Sequence, residues 1–239
     1  MLVARRRRAA SNAIYDLPDP EIFSQSESRT RRRGIASGIR DLLPRDTEEI
    51  NGLHVTTKLR TACDVGRLLW RYDAIGALDG MLRAGVNRGE LVAEVDRFKG
   101  FRGVVQLREL APLADRRAES GPEGALRLHW IEADLPTPEP QIWVHDDDGT
   151  PRYRIDPGHR EVHYGAEYFG REFHDEDSRE ADEDRLAWLR DQRDWTLDVF
   201  DKNAVFGRRP DPLVTLQQGF AKARARLGSR VAVHIDLGR

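Results

Sequence analysis

Between residues 59 and 113 apolar side chains recur at helical spacing; after residue 140 short strand-like runs come in among further helical stretches. The first pattern predicts a small helical bundle. Thr56-Thr57 caps a helix over about 59–70, in which Leu59, Ala62, Cys63, Leu69 and Trp70 fall mostly on one face. A second helix is expected over 74–84, with Ile75, Leu78, Asp79 and Leu82 in register and Gly85 as its stop. A third is expected over 88–98. Gly100 and Gly103 punctuate before a fourth over 104–113. These stripes read as core rather than as a ligand-binding face.

Ahead of the bundle the pattern is weak. A short strand is expected near 21–23, and 34–55 reads as short strands and turns, with Asn51-Gly52 as a hairpin signal. Beyond the bundle, Ser120 with Glu123 three residues on opens a helix over 122–133. The proline-rich stretch at 135–140 cannot be helical. Strands are expected at 141–145, 152–156, 161–168 and 195–200, helices at 178–192 and 212–227, and a last short strand at 231–235. This order predicts an α/β (α+β) fold: a mixed central sheet flanked by helices, preceded by the bundle. The domains expected are an N-terminal arm with short strands (1–55), the bundle (56–117) and the sheet-containing domain (118–239).

Composition narrows this picture only a little. The net charge of −2 does not announce a nucleic-acid binder. Arginines at 5–8 and in 29–33 read equally as a phosphate-contacting arm or as a solvated terminus. A single cysteine, Cys63, excludes an internal disulfide and a cysteine-based zinc site. With no apolar run of spanning length and no signal-peptide pattern at the start, the expectation is a soluble cytoplasmic protein without a membrane partner.

The chemistry concentrates in RYRIDPGHREVHYGAEYFGREFH, residues 152–174. Asp156 ends one expected strand and Glu167 sits in the next, on adjacent antiparallel strands. Two carboxylates placed so can share Mg²⁺, or Mn²⁺, which takes one or two protein carboxylates and keeps several waters. The backbone carbonyl of Tyr168 is a further candidate ligand. Glu123, on the preceding helix, is a candidate third carboxylate. Competing readings stay open: Asp156 also suits a turn before Pro157-Gly158, and Glu123 also completes a capping box. His159 and His163 are four apart but in a turn and strand, so HREVH is not a zinc-protease helix. Asp146-Asp147-Asp148-Gly149 lacks the spaced ligands of a calcium loop and reads as a turn.

Several short matches, in order from about Gly34 to Phe206, resemble one protein family. They are Gly52-Leu53-His54-Val55-Thr56-Thr57 with Arg60-Thr61 and Asp64; Leu78-Asp79 with Arg83-Ala84-Gly85; and Arg102-Gly103. They continue with Ala118-Glu119-Ser120, Glu123 and Arg127; Leu135-Pro136, Pro138 and Gln141; and Tyr153-Arg154-Ile155-Asp156. The last are Glu167-Tyr168 with Gly170 and His174, and Asp182 with Arg185 and Trp195. The chain thus resembles bacterial proteins with an AbiEi-type antitoxin region followed by a Vsr-like endonuclease domain of the PD-(D/E)XK, restriction-endonuclease-like superfamily.

The resemblance implies that Asp156 and Glu167 are catalytic metal ligands, with Glu123 as an auxiliary. Two departures stand out. Phe169 occupies a position where the family writes an acidic residue and the superfamily a basic one; His174 and Arg171 are the candidates to compensate. The winged-helix region that opens such proteins is expected to be missing or truncated. The function expected is therefore Mg²⁺-dependent DNA endonuclease, in a defence or toxin–antitoxin context. The alternative is a catalytically impaired nuclease-fold protein that binds DNA or a protein partner as an antitoxin-like regulator. The pattern leaves oligomeric state open.

Overall fold

The computed structural model describes residues 21–24, 36–169, 176–207 and 212–236. The fold is mixed α+β, and the chain divides into two compact units, Met1–Arg116 and Arg117–Arg239.

In the first unit, β1 (Glu21–Ser24) pairs in parallel with β2 (Ala36–Ile39). Strands β3 (Thr47–Ile50) and β4 (Leu53–Thr56) form a hairpin closed by Asn51 and Gly52, at φ 51° and 78°. Both values suit the tight turn that matches strand twist, which is why Asn-Gly stands there. Thr57 then caps α1 (Lys58–Leu68), its hydroxyl accepting from the Arg60 amide. Helices α2 (Arg71–Arg83), α3 (Arg88–Glu94) and α4 (Val104–Leu110) follow. The helices expected over 88–98 and 104–113 are shorter than their stripes, because each tightens into a 3-10 turn at its end.

The hairpin and the bundle, which the pattern separated at residue 55, belong to one unit. Asp46 explains why. Its buried carboxylate accepts from the Leu43 amide at 2.8 Å and from Arg60 of α1 at 2.9 Å, and it pairs with Arg97. Burial works against the charge, but the hydrogen bonds from Arg97 and Leu43 and the charges of Arg97 and Arg60 outweigh it. They hold the carboxyl at a pKa of about 2.

The second unit opens with α5 (Gly121–Glu132), capped by Ser120. Strands β5 (Ile142–His145) and β6 (Pro151–Ile155) make an antiparallel hairpin. After the two-residue β7 (Gly158–His159) comes β8 (Tyr164–Phe169), then α6 (Glu176–Asp191), β9 (Thr196–Asp201), α7 (Lys202–Phe206) and α8 (Leu213–Asp236). β8 is the centre of a three-stranded mixed sheet, antiparallel to β7 and parallel to β9.

Three expectations are corrected here. The strand expected from residue 161 starts at Tyr164, since the chain turns through His163 at φ 50°, where its ring stacks on Trp195 at 5.1 Å. The strand expected at 231–235 is the last part of α8; Gly228 does not break the helix. Asp156 and Glu167 are not on adjacent antiparallel strands, because β6 and β8 share no ladder among the described residues. Pro157 has no N–H with which to continue β6. The chain re-engages at Gly158, which exchanges backbone hydrogen bonds with Glu139 at 2.7 and 3.1 Å. Pro157 itself accepts from the Ala166 amide of β8 at 2.9 Å.

Side chains of β8 alternate between two apolar layers. On one face Tyr164 meets Trp130 of α5 and Phe220 of α8, with ring centroids 5.1 and 5.8 Å apart. On the other, Ile142, Val144 and Ile155 of the hairpin join Leu186, Trp188, Leu189, Trp195 and Leu197 in one buried cluster. Gly165 lets this second layer come close. A Cβ there would lie 2.5 Å from Ile155 Cγ2 and 2.9 Å from Leu197 Cδ2. Ile155 therefore sits directly on β8, and the next residue, Asp156, lines the same cavity as Glu167. Among the described residues no helix is long and apolar enough to cross a membrane.

The glycines make a paired test. Gly165→Ala forces a methyl into Ile155 and should lower unfolding stability by about 1–3 kcal/mol. Gly228→Ala, exposed in α8 with no atom within 4 Å of the new methyl, should raise it by about 0.5–1 kcal/mol. Urea unfolding of both variants measures the two signs.

Candidate functional site

Glu123, Asp156 and Glu167 line one cavity of about 190 Å³ in the second unit. The remaining lining is Ser120, Gln141, Arg154, Tyr168 and Arg185. The sequence-predicted residues Glu123, Asp156, Glu167 and Tyr168 are thus brought together. His174 and Arg171 lie outside the described residues.

Each carboxylate is held by its local structure. Glu123 completes the capping box of α5: its Oε2 accepts from the amides of Glu119 at 2.7 Å and Ser120 at 3.3 Å, while its own amide donates to Ser120 Oγ at 3.3 Å. Capping and cavity-lining therefore coexist in one side chain. Asp156, half-buried at the end of β6, accepts on Oδ2 from Gln141 Nε2 at 2.5 Å. Gln141 itself adopts φ 58°, a left-handed conformation that costs a non-glycine residue about 1–2 kcal/mol. Glu167 is buried in β8, and its Oε1 accepts from Arg185 Nη2 at 2.9 Å. The same Nη2 donates to the Arg154 carbonyl at 2.7 Å. Arg154 in turn grips Glu119 with both terminal nitrogens, at 3.0 and 2.6 Å.

The electrostatics follow from this crowding. Burial raises the Asp156 pKa, and the neighbouring charge of Glu123 adds to it. The Gln141 hydrogen bond and the charges of Arg127 and Arg154 only partly offset the rise, leaving about 7. Burial likewise lifts Glu167, against the charge and hydrogen bond of Arg185, with Glu123 and Asp182 pushing it further up, again to about 7. Carboxylates so poised exchange protons near neutrality, a property that concentrates at functional sites.

Phe169 shares the Glu167 face of β8 but is not part of the cavity lining. It is half-buried and packs against the apolar cluster that Ile142, Val144 and Ile155 form with residues of α6 and β9. The position where a third catalytic side chain was expected contributes packing instead.

The donor set is chemically suited to a hard divalent cation: carboxylate oxygens from Asp156 and Glu167, with Glu123 beside them and Tyr168 in the lining. Among the described residues no group of three or more His, Cys, Asp or Glu side chains is placed to hold a metal ion. Mg²⁺ asks for only one or two protein carboxylates, so Asp156 and Glu167 would suffice.

Sequence reasoning missed Gln141, Arg154 and Arg185 as parts of the cavity. Arg185 carried a usable signal, since it stands next to Leu186 and near Leu189 on the inward side of an otherwise charged helix. Gln141, like Arg154 and Arg185, stood among the residues that carry the family resemblance, but without a role in the site. Elsewhere, Asp146 and Asp148 accept from the Thr150 amide at 3.0 and 2.9 Å, as turn residues do. Cys63 is fully buried, and burial, with the charges of Glu94 and Asp64, pushes its thiol up to about 12.

Comparison with known proteins finds two uncharacterized proteins of Mycobacterium tuberculosis, from strains CDC 1551 and H37Rv. Each is 33% identical over 194 residues, covering 80% of this chain and 65% of the relative. The chain thus spans a little under two thirds of the length of these relatives. No family model and no solved structure matches it.

Raised carboxyl pKa values carry a stability consequence of definite sign. Asp156 and Glu167 have folded-state values above those of the unfolded chain, so their contribution is fully present below about pH 4. It is lost as pH rises through about 7. Asp156→Asn keeps an acceptor for Gln141 but removes the charge. Without divalent cations it should stabilise the protein by about 1–3 kcal/mol at pH 8 and leave it nearly unchanged at pH 4. Urea unfolding at the two pH values checks this; equal effects at both would refute the electrostatic account.

Proposed function

We propose that this protein is a Mg²⁺- or Mn²⁺-dependent endonuclease that hydrolyses phosphodiester bonds in DNA. The observation that supports this reading is the meeting of Glu123, Asp156 and Glu167 in one cavity, from three separate elements. Asp156 and Glu167 would hold the cation. When bound, it supplies a lowered pKa for coordinated water and a positive charge for the transition state. Gln141 fixes the Asp156 carboxylate and Arg185 the Glu167 carboxylate, so little reorganisation is needed as the reaction proceeds. Glu123 lies beside both, with Oε2 tied to the helix cap, and its Oε1 is the acceptor proposed for the proton of the attacking water. A new bond forms from the water oxygen to phosphorus; the bond from phosphorus to the leaving oxygen breaks, its electron pair stays with that oxygen, and the oxygen takes a proton from solvent water. DNA as substrate, and a defence or toxin–antitoxin setting, are what the family resemblance implies.

A second reading is favoured by Phe169, whose ring belongs to the apolar cluster rather than to the site. On that reading the nuclease fold binds DNA or a protein partner as an antitoxin-like regulator and does not cut.

Incubation of the purified protein with supercoiled plasmid and Mg²⁺ or Mn²⁺ separates the two. The first reading expects nicking or linearisation that falls about 100-fold or more in Asp156→Asn and in Glu167→Gln. Cutting that both substitutions leave intact would sink the site. Absence of cutting, with metal-independent DNA binding that weakens steeply with salt, would establish the second reading.

A further inference from the structure

We propose that Arg185 is the phosphate-contacting cation of this cavity, donating from its guanidinium to a non-bridging oxygen of the bound phosphodiester. The inference rests on the nuclease reading of the same cavity and assigns a residue that the carboxylate motif does not contain.

The first argument is the count of donors. A guanidinium carries five N–H groups in a planar fork. The two hydrogen bonds of Arg185, to Glu167 Oε1 at 2.9 Å and to the Arg154 carbonyl at 2.7 Å, both use Nη2. Among the described residues no hydrogen bond engages its Nη1 or Nε. The second argument is competition. Arg154, the other guanidinium in the lining, is committed to Glu119 through both terminal nitrogens. On β8 itself the position after Tyr168 is Phe169, which offers no charge.

The third argument is electrostatic. The cavity wall carries three carboxylates, and a phosphodiester would bring another negative charge to it. A divalent cation held by Asp156 and Glu167 offsets part of this charge. A fixed positive group on the substrate side is still required, and the Arg185 side chain is only 19% exposed, so its charge acts with little screening. A guanidinium fork also matches the spacing of two phosphate oxygens, which an ammonium does not. The bond to Glu167 makes the fork pre-organised: Arg185 is already held at the cavity before a phosphate arrives.

The test uses the full chain and two readouts. Binding of a labelled DNA oligonucleotide is followed by fluorescence anisotropy with Ca²⁺ in place of Mg²⁺, and cleavage is followed in Mg²⁺. Arg185→Lys keeps a charge for Glu167 and so protects folding, checked by melting temperature. It should weaken binding several-fold and lower kcat by about 10-fold or more. Arg185→Ala should lower kcat by about 100-fold, and millimolar guanidinium ion should restore part of that loss, but none of the loss in Asp156→Asn. A purely structural Arg185 would show a lowered melting temperature and no guanidinium rescue. If wild type cuts, Asp156→Asn does not, and folded Arg185 variants bind and cut as wild type does, the Arg185 assignment alone is overturned. If wild type neither binds nor cuts DNA, the reading of the cavity falls and this assignment falls with it.

Discussion

The side chain of Glu167 is buried in the middle strand of the second unit's sheet, where an ionised carboxylate would ordinarily be intolerable. Its charge is met by Arg185 of α6 at 2.9 Å. That pairing ties helix to sheet across the apolar cluster and also holds open a polar cavity against it. The other features of the unit fall into place around this constraint. Gly165 is bare so that Ile155 can lie on β8 and deliver Asp156. Gln141 accepts a left-handed backbone and meets Asp156. Ser120 starts α5 so that Glu123 caps the helix and lines the cavity together. A pair of residues chosen only for stability would replace Glu167 and Arg185 with apolar side chains at little loss. Here the pair instead lines the same cavity as Asp156 and Glu123.

Much of this was legible beforehand, for identifiable reasons. Local signals acted locally: Thr57, Asn51-Gly52 and the Ser120–Glu123 capping box each appear where their short-range hydrogen bonds require them. Asp156 and Glu167 were visible as carboxylates at the ends and interiors of apolar strands. What was not legible depended on contacts distant in sequence. Nothing in the run around Asp156 says that β6 stops pairing and that Ile155 instead stacks on Gly165. Apolar residues in 231–235 carry strand-like alternation, but a strand needs a partner, and the preceding turn of α8 propagates through them. Asp46 gave no sign that its carboxylate would bind Arg60 and Arg97 and so join hairpin to bundle.

Phe169 is the residue on which the two functional readings divide. Its half-buried ring packs against the apolar cluster of the second unit, so the position has a packing role that an acidic or basic residue could not fill. A site lacking that third group can still act if a cation and a guanidinium supply the missing positive charge. It can equally have become a binding surface. The carboxylates are common to both readings; what differs is whether they are kept for a metal ion.

Isothermal titration of Mn²⁺ into the metal-free protein tests that point most directly. Because each carboxyl holds a proton with a pKa near 7, bound metal must displace protons. The account predicts binding of a cation that tightens about 10-fold or more between pH 6 and pH 8 and disappears in the Asp156→Asn/Glu167→Gln double variant. No binding at any pH, or binding that the double variant retains, would contradict it.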